Sequence, residues 1–150
     1  MIASLIMASV VIALSFTVLA WAQFRTSDYA ETYGETTDAE IARLKERLTV
    51  EYIFYDGSSG NLSIYLLNSG AISTVNITRV LVQNDLEYNG DFLITELTFL
   101  NGTINQSPYL DMGDEGYLIL PCGGDLTSGK YFVSIFTVRG SLFDAGFDVA

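Results

Sequence analysis

Histidine is absent from this 150-residue sequence, and cysteine occurs once, at Cys122. These absences exclude histidine-dependent catalytic triads and histidine metal sites, and a lone thiol cannot form a disulfide within the chain. No basic residue lies near Cys122 to make its thiol reactive, so we expect a small core or turn residue. Walker, dinucleotide-binding and nucleophile-elbow motifs are also missing. The sequence therefore predicts a protein that is not an enzyme and that uses no cofactor or metal.

Basic residues are scarce as well. Seven Lys and Arg stand against eighteen Asp and Glu, which gives a net charge of −11. A surface of this sign repels phosphate backbones, so we expect no nucleic-acid partner. Charge of either sign is missing from the first 24 residues, because the first charged residue is Arg25. The net charge consequently belongs to residues 25–150, the part of the chain that we expect in water.

The uncharged run over residues 1–24 is the most distinctive segment. As a helix it would span about 36 Å, which is enough to cross a bilayer. It lacks the basic start of a secretory signal, and it is longer than the apolar core of such a signal. Small residues lie four apart, a spacing that lets helices approach closely, although any apolar helix tolerates alanine and serine. We predict a helix that spans a membrane or packs in a filament core, with these assembly residues: Ala3, Ser4, Leu5, Ala8, Ser9, Ala13, Phe16, Trp21 and Phe24.

Residues 25–48 form a polar extension of this segment. Thr37 and Glu40 fit a capping box, and apolar residues follow at helical spacings. The pattern predicts a helix from about Thr37 to Leu48. Gly34 either bends the chain or lies inside one continuous helix, since glycine costs only about 1 kcal/mol there. We therefore place an N-terminal helical region at residues 1–48.

Apolar and polar residues alternate in the remainder, residues 49–150. Short runs rich in Val, Ile, Thr, Phe and Tyr are separated by turn residues. About seven such runs at this spacing predict an antiparallel β-sandwich, and the fold class is therefore α+β. The runs are "LTVEYIFYD", "GNLSIYLLN", "STVNITRVLVQN", "DFLITELTFL", "GYLILP", "GKYFVSIFTVR" and "SLFDAGFDV".

Four N-x-S/T sequons make Asn61, Asn76, Asn101 and Asn105 candidate N-glycosylation sites if the domain is exported. A chain rich in Asn, Ser and Thr also produces such triplets by chance. Asn101 and Asn105 lie in a predicted loop and are the better candidates. Asn76 lies in a predicted strand, so it would need a side chain that points outward.

The order of these segments resembles that of the archaeal type IV pilins, a superfamily that includes the archaellins. Two stretches are similar to the β-domains of that family. One is "LSIYLLNSGAISTVNITRVLV" (residues 62–82), with an N-x-G turn between two strands, and the other is "SGKYFVSIFTVRG" (residues 128–140), a late strand ending in T-x-R-G. Leu5 stands where bacterial type IV pilins usually carry glutamate. Archaeal members commonly lack that acid, so the archaeal branch is favoured.

The resemblance implies a structural subunit of an extracellular adhesion pilus, a helical homopolymer with helices bundled in its core. It also implies a leader removed before Met1 by a prepilin peptidase. The subunit would wait in the membrane, an ATPase-driven platform would assemble it, and surfaces or cells would be its adhesion target. Two alternatives stay open: an archaellum filament or pilin-like stator subunit, and a single-span, membrane-anchored β-sandwich binding module.

Overall fold

The computed structural model describes residues 2–84, 88–124 and 126–150, without the side chains of residues 2, 4 and 5. The chain divides into two compact units, Met1–Glu40 and Ile41–Ala150. One long helix comes first and antiparallel sheets follow it. The predicted α+β layout is confirmed at this level.

A single helix, α1, covers Ile2–Lys45. Gly34 lies inside it, so the alternative with one continuous helix is the correct one. The predicted capping box is wrong. Thr37 lies inside the helix, and its hydroxyl donates to the carbonyl of Tyr33 at 2.7 Å. The helix also ends three residues before the predicted Leu48. That leucine is buried and begins the first strand, so the helix ends before it.

Ten strands follow in the part of the chain that the structure describes, where about seven were expected. The predicted run at residues 91–100 contains the end of one strand and the whole of another, and two very short strands lie between it and the next predicted run. The strands are β1 (Leu48–Asp56), β2 (Asn61–Asn68), β3 (Thr74–Asn84), β4 (Asn89–Leu93), β5 (Leu97–Phe99), β6 (Ile104–Asn105), β7 (Tyr109–Asp111), β8 (Glu115–Pro121), β9 (Gly129–Thr137) and β10 (Leu142–Val149).

These strands form two antiparallel sheets. The first has the order β1-β2-β8-β5-β6, and the second has the order β10-β9-β3-β4, with β7 also paired to β3. Each sheet therefore joins strands from distant parts of the sequence. For example, Leu62 of β2 is opposite Leu120 of β8.

The core follows from the alternation seen in the sequence. Along β2, every second residue is buried, and β3, β8 and β9 show similar alternation. Buried residues from both sheets make one apolar cluster, in which Tyr131 is the largest fully buried side chain. Cys122 belongs to this cluster, as its predicted role as a small core residue required.

Candidate functional site

The apolar half of α1 lies open in the single chain. Among its predicted assembly residues, Phe16, Trp21 and Phe24 are 69%, 62% and 74% exposed. Ala3, Ala8, Ser9 and Ala13 are exposed too, whereas the side chains of Ser4 and Leu5 lie outside the described residues. An apolar helix surface without a polar face is unstable in water, so other apolar groups must cover it.

Length and composition would let this helix cross a membrane. Within the described residues it is the one helix that passes this test, with a mean hydropathy of 1.9 in its most apolar window. Its boundary toward the polar half carries Trp21, and the guanidinium of Arg25 lies 5.8 Å from the centre of the Trp21 ring. Tryptophan and basic residues are typical of the border between hydrocarbon and water. Residues 21–25 therefore have the composition that is typical of such a border.

Hydroxyl groups in the apolar half are satisfied by the helix itself. Ser9 donates to the carbonyl of Ile6, Ser15 to that of Val11 and Thr17 to that of Ala13, at 2.8 to 2.9 Å. Such bonds keep polar side chains compatible with an apolar environment. The helix can therefore be surrounded by lipid or by protein without a lost hydrogen bond at these groups.

Small residues occupy two sides of this helix. With about 100° between successive residues, Ala8, Ser15 and Ala22 fall on one side, and Ser9, Ala13 and Ala20 fall on another, about 140° away. Each side offers a shallow surface against which another helix backbone could pack closely. Two such sides suit a helix with several neighbours better than one in a simple pair.

A second group of residues lies within the second unit, directly after the end of α1. Glu46 directly follows the helix, and its side chain is fully buried. Its Oε2 accepts a hydrogen bond from Oγ1 of Thr137, and its Oε1 accepts one from Nη1 of Arg139, each at 2.8 Å. The same guanidinium nitrogen of Arg139 also donates to the carbonyl of Thr74 at 2.8 Å. These charge-strengthened hydrogen bonds hold the Glu46 side chain against β3 and the end of β9.

The turn between β2 and β3 contacts the same segment. The amide of Ala71 donates to the carbonyl of Lys45 at 3.0 Å, and the amide of Ser69 donates to that of Arg47 at 2.9 Å. A Cβ atom on Gly70 would lie 2.6 Å from both the Arg47 nitrogen and the Lys45 oxygen, so only glycine fits. Asn68 is fully buried, and its side-chain amide donates to the carbonyl of Leu110 at 3.0 Å.

We call this set the junction clamp: Glu46 with Thr137 and Arg139, and the Asn68–Ala71 turn against residues 45–47. The N-x-G and T-x-R-G stretches, noted in the sequence only for their resemblance to pilins, therefore meet at one place. Sequence reasoning missed Glu46, which reads as one more acid of a polar extension. Its position just before the first alternating run was the available signal.

The four sequons lie in different surroundings. Asn101 is exposed in a turn, and its Oδ1 accepts the amide of Thr103 at 2.9 Å. Asn105 makes the same type of contact with the amide of Ser107 at 3.0 Å, but it lies in the short strand β6 rather than in a loop. Asn61 and Asn76 are half-buried in β2 and β3, on the face away from the core.

Among the described residues, no cluster of His, Cys, Asp or Glu side chains could hold a metal ion. Comparison with models of known protein families gave no match. Comparison with curated proteins gave none at a significant level. The apolar helix, the junction clamp and the exposed faces of the sheets are the features of the described residues that bear on function.

Proposed function

We propose that this chain is the structural subunit of an extracellular filament of the archaeal type IV pilus kind, which serves adhesion. Its apolar helices would bundle in the filament core, and its β-domains would form the outer layer. Before assembly, the helix would lie in the membrane. A prepilin peptidase and an assembly ATPase with its platform are the partners that the resemblance implies.

The observation that carries this proposal is the exposed apolar half of α1 with small residues on two sides. Lipid alone would cover such a helix, but a single helix in lipid would gain nothing from two surfaces shaped for close packing. Identical neighbouring helices would pack against both surfaces. A contact that is repeated without closing on itself generates a helical filament rather than a ring.

Charge distribution supports the same arrangement. Every one of the 25 Lys, Arg, Asp and Glu residues lies at or after Arg25, so the acidic part belongs in water and the first 24 residues do not. The junction clamp would hold the end of each helix firmly to its own sheets. A filament under tension needs such an attachment, because load passes from the core to the outer domains at this point.

Two other functions share part of this evidence. An archaellum filament or stator subunit would have the same apolar helix, and static fibres on non-swimming cells would separate a pilus from it. A single-span, membrane-anchored binding module is favoured by the Trp21–Arg25 boundary, which suits a lone helix in lipid as well as an unassembled subunit. In that case the chain would stay in the membrane and form no fibres.

The test replaces Ala8 by glutamate and compares it with a matched change, Ala30→Glu, in the polar half of the same helix. A carboxylate in an apolar bundle is strongly unfavourable, so Ala8→Glu should abolish filaments seen by electron microscopy, whereas Ala30→Glu should leave them. Amide hydrogen exchange of the strands should be unchanged in both variants. Normal fibres from Ala8→Glu, or none from the unaltered chain in its native cells, would refute the proposal.

A further inference from the structure

An aromatic row crosses the outer face of the first sheet. It consists of Phe54 and Tyr52 on β1, Tyr65 on β2 and Tyr117 on β8. Ring centres are 6.4 Å apart for Phe54 and Tyr52, 6.1 Å for Tyr52 and Tyr65, and 5.3 Å for Tyr65 and Tyr117. Tyr52 and Phe54 are 59% and 50% exposed, so each residue leaves half or more of its surface in solvent.

Strand register fixes this row. Tyr52 is directly opposite Tyr65, and Tyr65 is directly opposite Tyr117. The rings of Tyr52 and Phe54 are nearly parallel, at 12°. Contacts between such cross-strand neighbours stabilise a sheet, but they do not require half of the surface of Tyr52 and Phe54 to remain in water. Exposed aromatic surface of this extent is typical of a binding face.

Polar and acidic residues surround the row: Glu115 lies two residues before Tyr117 on β8, and Asp56 lies two residues after Phe54 on β1. The residues that face it across the strands are Ser63, opposite Phe54, and Thr98, opposite Tyr117. The whole chain is acidic, with a net charge of −11. That charge repels anionic polymers and anionic lipid surfaces. A partner without negative charge is therefore the one that this face suits.

An open cleft of about 500 Å³ adjoins one end of the row. Tyr52, Phe54 and Tyr55 line one part of it, and Asp148 of β10 lines another. Aromatic rings beside a carboxylate present two kinds of surface side by side. The rings offer apolar faces, and the carboxylate oxygens accept hydrogen bonds from hydroxyl groups.

We propose that the aromatic row binds a neutral polysaccharide. Sugar rings have one face made of C–H groups, which stacks on aromatic rings, and an edge of hydroxyl groups, which would bond to Asp148 and to the tyrosine hydroxyls. Four rings in succession suit several units of a sugar chain better than a single sugar. The inference rests on the adhesive part of the proposed function and names the chemical class of its target, but it does not require a filament.

The test measures binding of the full chain, dispersed in a zwitterionic detergent without a sugar headgroup, to insoluble cellulose and chitin and to soluble laminarin and mannan. Tyr52→Ala and Phe54→Ala are compared with Phe132→Ala, which removes an aromatic ring that is 49% exposed on β9 of the other sheet. We expect binding to at least one of these polymers, a loss of about tenfold or more in the first two variants, and no change in the third.

Failure would be evident in either of two ways. If none of the four polymers binds, or if Tyr52→Ala and Phe54→Ala bind as well as the unaltered chain, the proposal is wrong. If the two variants instead lose fibres while sugar binding is absent, the row is a contact between copies. Because binding is measured on dispersed chains, it can succeed where filament formation fails, and the two proposals are judged separately.

Discussion

Glu46 and Thr137 are joined by a hydrogen bond of 2.8 Å between a fully buried carboxylate and a hydroxyl that lies 91 residues further along the chain. The bond ties the residue that follows the helix to the end of β9. Ser141 adds to it, because its amide donates to the same Thr137 oxygen at 3.2 Å. The junction clamp is therefore a property of the folded domain rather than of the local sequence.

Replacing Thr137 by valine should destabilise the β-domain by about 2 kcal/mol, since a buried carboxylate loses a donor and valine has nearly the same shape. The free energy of opening of β2 and β9, measured by amide hydrogen exchange of the full chain in micelles, is the readout. Thr95→Val, at an exposed loop position, is the control and should change little. Equal protection in the two variants would show that the clamp contributes no stability.

Gly70→Ala should also weaken the domain, by about 2 kcal/mol, because its Cβ atom would meet two backbone atoms of the clamp. Gly57→Ala is the matched control: its Cβ atom would lie 3.9 Å from the Tyr55 ring, an ordinary contact. We expect the Ala71 amide, which bonds to Lys45, to exchange faster in the first variant only. Unchanged exchange at Ala71 would mean that the turn can move aside without cost.

A third prediction concerns pH. Asp91 on β4 accepts two hydrogen bonds from the Arg79 guanidinium on β3, at 2.5 and 2.6 Å, and these lower its pKa below the usual value of 3.8. Since the folded pKa lies below the unfolded one, the pair stabilises the fold at neutral pH, and this contribution disappears as the pH falls through the lowered pKa. Because both side chains are about half exposed, the contribution is small.

Carboxyl titration by NMR tests this pair. Arg79→Gln should raise the pKa of Asp91 toward its usual value. Asp56 serves as the internal control, because its pKa is lowered chiefly by a hydrogen bond from the Ser59 side chain and should stay low in the same variant. An Asp91 pKa that does not move in Arg79→Gln would show that the ion pair is not formed in solution.

The sequons give a fourth prediction. If the chain passes an N-glycosylation system, Asn101 and Asn105 should carry glycans more often than Asn76. The first two lie in a turn and a two-residue strand, whereas Asn76 lies between β7 and β9, with its carbonyl bonded to the amide of Val138. Peptide mass spectrometry of native material measures occupancy. Asn101→Gln and Asn105→Gln should each remove a glycan mass, and a glycan on Asn76 alone would contradict the prediction.

Local patterns predicted much of the fold. The uncharged run predicted the helix, and alternation predicted the long strands, because each pattern lies within a few neighbouring residues. Two of the very short strands, β6 and β7, carry too few residues to show alternation. They exist because β5 and β3 offer backbone partners to them. The wrong prediction of a capping box has a similar explanation. The helix begins long before Thr37, so the Thr37 hydroxyl donates to a carbonyl of the preceding turn instead of capping a helix start.

The candidate sites were less predictable. The position of Glu46 before the first alternating run was the local signal, but its partners Thr137 and Arg139 lie at and after the end of β9 and are distant in sequence. Half of the aromatic row could be predicted from the sequence, because Tyr52 and Phe54 are two residues apart in the predicted strand "LTVEYIFYD" and so lie on one face. That they continue across β2 and β8 depends on strand register, which a single sequence does not specify.

The clamp also has a consequence for the order of folding. Glu46 lies less than a third of the way along the sequence, yet the groups that cover its carboxylate are at Thr137 and Arg139. A ribosome must therefore produce most of the chain before this acid can leave water. Contacts over such separations form late and slowly. The helix would be complete long before its anchoring point is set, and a chain interrupted before β9 would carry an apolar helix without a finished domain behind it.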